Sequence, residues 1–137
     1  MPEQTQRVLA FDFGLRYIGV ASGQSITATA SPVTTLIAQD GAPTWAEVNA
    51  LVSEWRPTHL LVGLPLNMDD SESDMSERAR TFAAQLEKRF SLPVGLVDER
   101  LSSREAAAQA AEATSNPGGS THELAAVIIA QSYLANL

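Results

Sequence analysis

Between two helical stripes lies the six-residue run His59-Leu-Leu-Val-Gly-Leu64. A continuous apolar run this short reads as a strand buried on both faces, the kind that parallel sheets covered by helices contain. The stripe before it, Trp45, Val48, Leu51, Val52 and Trp55, has helical spacing and stops before Pro57, which predicts a helix with both tryptophans in its core face. The stripe after it, Met75, Ala79, Phe82, Ala83, Leu86 and Phe90, predicts a second helix that packs Met75 and both phenylalanines inward. Asp69, Asp70, Glu72 and Asp74 lead into that helix. They lack the glycine, the closing glutamate and the spacing of a calcium loop, so they read as a solvated acidic entry, where a helix N-terminus favours anions. A further apolar strand, Pro93 to Val97, follows.

The first third of the chain has a different pattern. Arg7 to Phe13 and Tyr17 to Ser22 are short apolar segments ending at glycines, which predicts two strands joined by a tight turn. Ile26 to Ile37 is rich in β-branched residues but is interrupted by Pro32, as an edge strand with a break would be. At the other end, Ser102-x-x-Glu105 is a capping box that opens an alanine-rich helix to about Ala113. Ser115 to Gly119 breaks it, and Ser120-x-x-Glu123 is a second capping box, opening a closing helix over Leu124 to Leu134. Three strands in a meander, followed by alternating helices and strands, predict an α/β sandwich: a mixed sheet with helices on both faces. One domain over residues 1–137 is expected, with a flexible start at 1–6.

Composition narrows the function. Nine Lys+Arg against sixteen Asp+Glu leave a net charge of −7, which argues against coating nucleic acid through bulk charge. The chain has no cysteine, which removes disulfides, a thiol nucleophile and Cys-type zinc sites. The longest purely apolar run, Leu124 to Ala130, is too short to span a bilayer, and the first residues lack the pattern of a signal peptide. A soluble cytoplasmic protein without membrane contact is the expectation. With only His59 and His122, and no serine in a nucleophile-elbow context, a catalytic triad has few bases to draw on. His59 opens an apolar strand and reads as structural.

The chemistry gathers at element ends. Asp12 sits in Ala10-Phe-Asp-Phe-Gly14, and a carboxylate in an apolar strand needs a cation or a donor. Arg16, four residues on, is one candidate. Glu99 stands at the exit of the last predicted strand beside Arg100 and Arg104, which offer it simple ion pairs. Were Asp12 and Glu99 to approach within about 4 Å, their repulsion would be on the order of 4 kcal/mol at an effective dielectric of about 20. A divalent cation removes that repulsion, and oxygen ligands suit Mg²⁺ or Mn²⁺ rather than zinc.

At this point the residues resemble a known family. Asp12-Phe-Gly-Leu-Arg-Tyr-Ile-Gly-Val-Ala21, Val62-Gly-Leu-Pro-Leu-Asn-Met-Asp69, Asp98-Glu-Arg-Leu-Ser102 and Ala125-Ala-Val-Ile-Ile-Ala-Gln-Ser-Tyr-Leu134 are similar to the YqgF family. Its members are described as RuvC-like Holliday-junction resolvases and as pre-16S rRNA nucleases. The likeness runs in order along the chain after Gln6. It implies a ribonuclease H-like fold, with a five-stranded mixed sheet whose first three strands are antiparallel. It places the family's first acid on Asp12 and its second on Glu99. The third acid normally opens the last helix as Asp-x-x-Ala-Ala, and here that frame reads His122-Glu-Leu-Ala-Ala126. His122 therefore stands at the acid's position as the third metal ligand, ranked above Glu123, which the capping box already explains.

Two readings of Arg16, Arg100 and Arg104 stay open: bidentate contact with substrate phosphates, or neutralisation of the acids. Asn67 lies in the motif-bearing loop and joins them as a candidate nucleic-acid contact. The resemblance implies a metal-dependent endonuclease acting at the 5′ end of pre-16S rRNA, with Holliday-junction resolution as the alternative. A non-catalytic relative that lost its third acid is a further alternative. Expected partners are nucleic acid, either pre-16S rRNA or branched DNA, and a ribosomal or processing protein that compensates for the acidic surface. The chain itself is expected to be a monomer or a weak homodimer. Asp12, Gly14 and Gly19 also resemble the phosphate loop of sugar kinases and actin-like ATPases, which clasp nucleotide between two such domains; one domain argues against that function.

Overall fold

The computed structural model describes residues 5–65, 73–98 and 121–137. Six strands form one mixed sheet in the order β4-β3-β2-β1-β5-β6. β1 (Arg7–Asp12), β2 (Tyr17–Gln24) and β3 (Thr29–Gln39) make the antiparallel meander expected from the sequence. β5 (His59–Leu64) and β6 (Val94–Asp98) run parallel to β1. The sixth strand is β4, two residues long (Ala42–Pro43), which pairs with Ala38 and Gln39. A strand that short carries no periodicity, which is why five strands were expected.

Pro32 has the consequence its missing N–H implies. The β2–β3 register shifts between Val20 and Ala21, whose partners are Thr34 and Pro32, and Val33 bulges out. The strand starts later than the sequence suggested, because Ser25 to Ala28 form a turn, with Ala28 in the left-handed region at φ 53°. At the N-terminus, the Gln6 N–H donates to Ser25 Oγ at 2.9 Å, and its Oε1 accepts from Tyr133 Oη at 2.6 Å; residues 1–4 of the expected flexible start lie outside the described residues.

Helices cover both faces. α1 (Trp45–Trp55) and α2 (Asp74–Phe90) lie on one side, and α3 (Thr121–Ala135) on the other. α2 starts at a capping box in which Ser73 and Ser76 exchange side-chain-to-backbone bonds. It ends at Ser91, in the left-handed conformation, whose N–H donates to Glu87 O. Of the acids read as its solvated entry, Asp74 is exposed in the first turn, while Asp69, Asp70 and Glu72 lie outside the described residues. The predicted helix from Ser102 and the breaker at Ser115 to Gly119 lie outside them too.

β1 shows how the sheet divides its side chains. Leu9 and Phe11 join the α1/α2 core with Ile18, Val20, Leu60 and Val62, whereas Val8 and Ala10 pack with Leu61 against Ile129 and Ala130 of α3. Phe82 of α2 anchors the larger core, its ring centroid 5.7 Å from Phe11, 5.3 Å from Phe13 and 5.9 Å from Trp45. The expectation of two core tryptophans holds for one of them. Trp45 packs on the core under the Arg89 guanidinium, 4.3 Å from the ring centroid. Trp55 is 39% exposed. It is the last residue of α1, before left-handed Arg56, and its ring borders the strand ends at Arg7, Gln24 and Thr29, where the core has run out.

Candidate metal and nucleic-acid site

Asp12 is the last residue of β1 and is half-buried. Strand side chains alternate between faces, so Asp12 follows Val8 and Ala10 onto the α3 side, where the core cluster is the smaller one. Directly across the antiparallel pair stands Gly19 of β2. A Cβ on Gly19 would overlap the carbonyl of His122 and come within 2.9 Å of the Glu123 nitrogen. The first turn of α3 therefore rests on the bare backbone of β2, next to the strand that carries Asp12. Only glycine permits that approach.

Two further contacts hold the start of α3. The His122 ring stacks on Tyr17, centroids 5.0 Å apart and planes 30° apart. Glu123 Oε2 accepts a hydrogen bond from Thr35 Oγ1 of β3 at 2.9 Å. Glu123, which the sequence explains as a capping arm, thus has a tertiary partner on the sheet, and His122 is the residue of the pair that meets an aromatic ring. His122 and Glu123 are both half-buried. Below them Ala126 and Val127 pack on Ala21, two residues along β2 from Gly19.

β6 ends at Asp98, in register with Leu64. Val97 packs on the α3 face, so by alternation Asp98 belongs to the other one. Glu99, Arg100, Arg104 and Asn67 lie outside the described residues. Among the described residues no three His, Asp or Glu side chains are close enough to hold a metal ion together; the expected trio has two described members, Asp12 and His122. Arg16 is exposed in the β1–β2 turn, its carbonyl accepting from Ala38 N at 2.8 Å. His59 bonds to Thr58 Oγ1 through Nδ1 at 2.8 Å, a structural role as expected.

Sequence reasoning passed over Tyr17, Gly19 and Thr35, which set the start of α3. Gly19 had a signal: a glycine inside an apolar strand marks a close approach of backbone. Read as part of a phosphate-loop pattern, it is instead the seat of a helix. Tyr17 and Thr35 had none, since each acts through a partner roughly a hundred residues on, and no spacing rule links them.

Comparison with known proteins gives the family and the fold. Residues 6–136 match the model of the RuvX family, described as Holliday junction resolvase. A protein of Shewanella denitrificans named "Putative pre-16S rRNA nuclease" is 46% identical over 134 residues, covering 96% of this chain and 95% of its own length. One of the same name from Pectobacterium carotovorum is 47% identical over 133 residues, covering 95% and 96%. Among solved structures, Thermus thermophilus RuvC in complex with Holliday junction substrate superposes with a TM-score of 0.61 at 14% identity, over 95% of each chain. The yeast mitochondrial Holliday junction resolvase Ydc2 gives 0.51 at 10% identity, over 94% of this chain and 78% of its own. Identities that low establish the fold alone, and the fold is the ribonuclease H-like one. No described helix is long and apolar enough to cross a membrane.

Proposed function

The chain belongs to the RuvX family, and from that premise we propose that it is a metal-dependent endonuclease acting in the cytoplasm on the 5′ side of precursor 16S rRNA. The observation that carries this reading is the seating of the first turn of α3 on Gly19, the β2 residue paired with Asp12. It brings β1 and α3, far apart in sequence, to either side of one residue of β2, as a ligand set drawn from both elements requires.

The donor set fits a hard divalent ion: a strand-end carboxylate, an imidazole and, by proposal, the carboxylate of Glu99 would hold Mg²⁺ or Mn²⁺. When bound, such an ion supplies an activated water and stabilises the leaving oxygen in phosphodiester hydrolysis. The chain's own residues do the rest. Tyr17 limits the rotation of the His122 ring by stacking on it. Thr35 draws Glu123 toward β3, which favours His122 as the third ligand. Arg16, exposed in the β1–β2 turn four residues after Asp12, is assigned to a substrate phosphate, and Arg100, Arg104 and Asn67 are assigned the same role.

The net charge of −7 gives little bulk attraction to naked duplex, so recognition runs through local contacts and a ribosomal or processing protein partner. The names of the curated relatives favour rRNA over a DNA junction. The family description and the junction-bound structural neighbour support the second reading, Holliday-junction resolution. That reaction cuts two opposed strands and so needs two copies of the chain.

The test is cleavage of a labelled precursor 16S rRNA fragment and a four-way junction in Mn²⁺, Mg²⁺ and EDTA. Metal-dependent cutting is expected, lowered on the order of a thousandfold by Asp12→Asn, equivalent to about 4 kcal/mol of barrier, and lowered less by His122→Ala. Preference for the junction would move the assignment to resolution. No cutting of either by the folded protein would leave a non-catalytic relative.

A further inference from the structure

Beside the proposed metal site the sheet presents an apolar surface to solvent. Tyr17 and Ile37 are paired across β2 and β3 and are 44% and 71% exposed. Both lie on the α3 face of the sheet, since Gly19 of β2 meets α3 and Thr35 of β3 bonds to Glu123. Tyr17 is also the ring on which His122 stacks. The surface thus adjoins the residue proposed to ligate the metal, and Arg16 is exposed immediately before it in the chain. From Ile37 it opens into a groove of about 660 Å³ lined by Thr35, Gln39, Pro43, Thr44 and Glu47.

We propose that Tyr17 and Ile37 form a shelf that takes one unpaired nucleobase next to the phosphodiester bond being cut. This inference rests on the nuclease reading and adds the class of substrate, a nucleotide lifted out of its stack. Three observations lead to it. Large apolar side chains this exposed, adjacent to one another and beside a proposed site for phosphate chemistry, offer a stacking surface to an apolar group that arrives with the phosphate, and a base is such a group. The overall charge of −7 denies the chain the bulk electrostatic affinity on which duplex binding depends, whereas stacking on an aromatic ring is insensitive to net charge. Finally, the groove past Ile37 carries hydroxyl and amide groups on Thr35, Thr44 and Gln39, while the Glu47 carboxylate at its edge repels phosphate. That lining suits base and sugar and keeps the backbone on the Arg16 side.

The experiment uses the full chain in EDTA, so that binding is read without cutting. The probe is a short single-stranded RNA carrying 2-aminopurine, compared with the same strand made abasic at that position and with its duplex. Wild type is expected to quench the fluorophore and to prefer the intact strand over the abasic one by about 5- to 150-fold, the range of a stacked base. Tyr17→Ala abolishes that preference, Tyr17→Phe keeps it and Ile37→Ser reduces it. Equal binding of intact and abasic strands by wild type, preference for the duplex, or a preference that survives Tyr17→Ala overturns the proposal and leaves the shelf to a protein partner. A Tyr17-dependent preference without cutting in Mn²⁺ would sink the nuclease reading and spare the shelf. Cutting without the preference would do the reverse.

Discussion

The two faces of the sheet are built to different ends. Toward α1 and α2, the side chains of β1, β2 and β5 are large and interlock around Phe82, and the core runs on through Leu86, Phe11 and Val48. Toward α3 small residues come between the larger Val8 and Leu61: Ala10, Ala21 and Gly19, with Asp12 and Thr35 at the end where α3 begins. Small residues let the helix backbone approach the strand backbone, and a close backbone places the first side chains of α3 with little freedom. The first face supplies most of the apolar burial. The second gives up burial for a close approach of the α3 backbone to β2.

Substitutions chosen on either side separate these tasks. Phe82→Ala removes the hub of the larger core, where the ring is 1% exposed; a loss of about 3–5 kcal/mol in chemical denaturation is expected, with activity per folded molecule retained. A parallel fall in activity would mean that the faces are not independent. Gly19→Ala puts a methyl against the backbone of His122 and Glu123, which cannot yield as a side-chain tip can. It should cost about 1–3 kcal/mol as overpacking and lower cleavage by more than that loss of folded protein accounts for; unchanged cleavage would break the link between Gly19 and the site. Thr35→Val leaves Glu123 Oε2 without its hydroxyl donor. About 1 kcal/mol of stability and a mild loss of activity are expected, and a loss as deep as that of Asp12→Asn would promote Glu123 from support to ligand.

Much of this could be read along the chain. His59 to Leu64 announced a parallel strand, and the stripes at Trp45 and Met75 announced α1 and α2 to within a residue, because a helix or a buried strand writes its period into neighbouring positions. The bulge at Val33 was foreshadowed by Pro32. β4 was not, since two residues have no period, and the exposure of Trp55 was not, since its stripe was regular to the last position while the sheet beneath it ended. Asp12 and His122 stood out as single residues of the wrong polarity for their surroundings or of the wrong type for a familiar frame.

What the sequence determined by itself was everything carried by local repetition and local chemistry: element types, the mixed sheet, and an acid and a histidine at element ends. What only the tertiary structure decided was that both border the same residue of β2, Gly19. Asp12 and His122 lie over a hundred residues apart, and no local rule brings them near each other. Their neighbourhood follows from the pairing of Asp12 with Gly19, the absence of a side chain there, the stacking of Tyr17 under His122 and the bond from Thr35 to Glu123. Each of these contacts depends on chain segments brought together by folding, and their energies are realised only once the sheet has set its register.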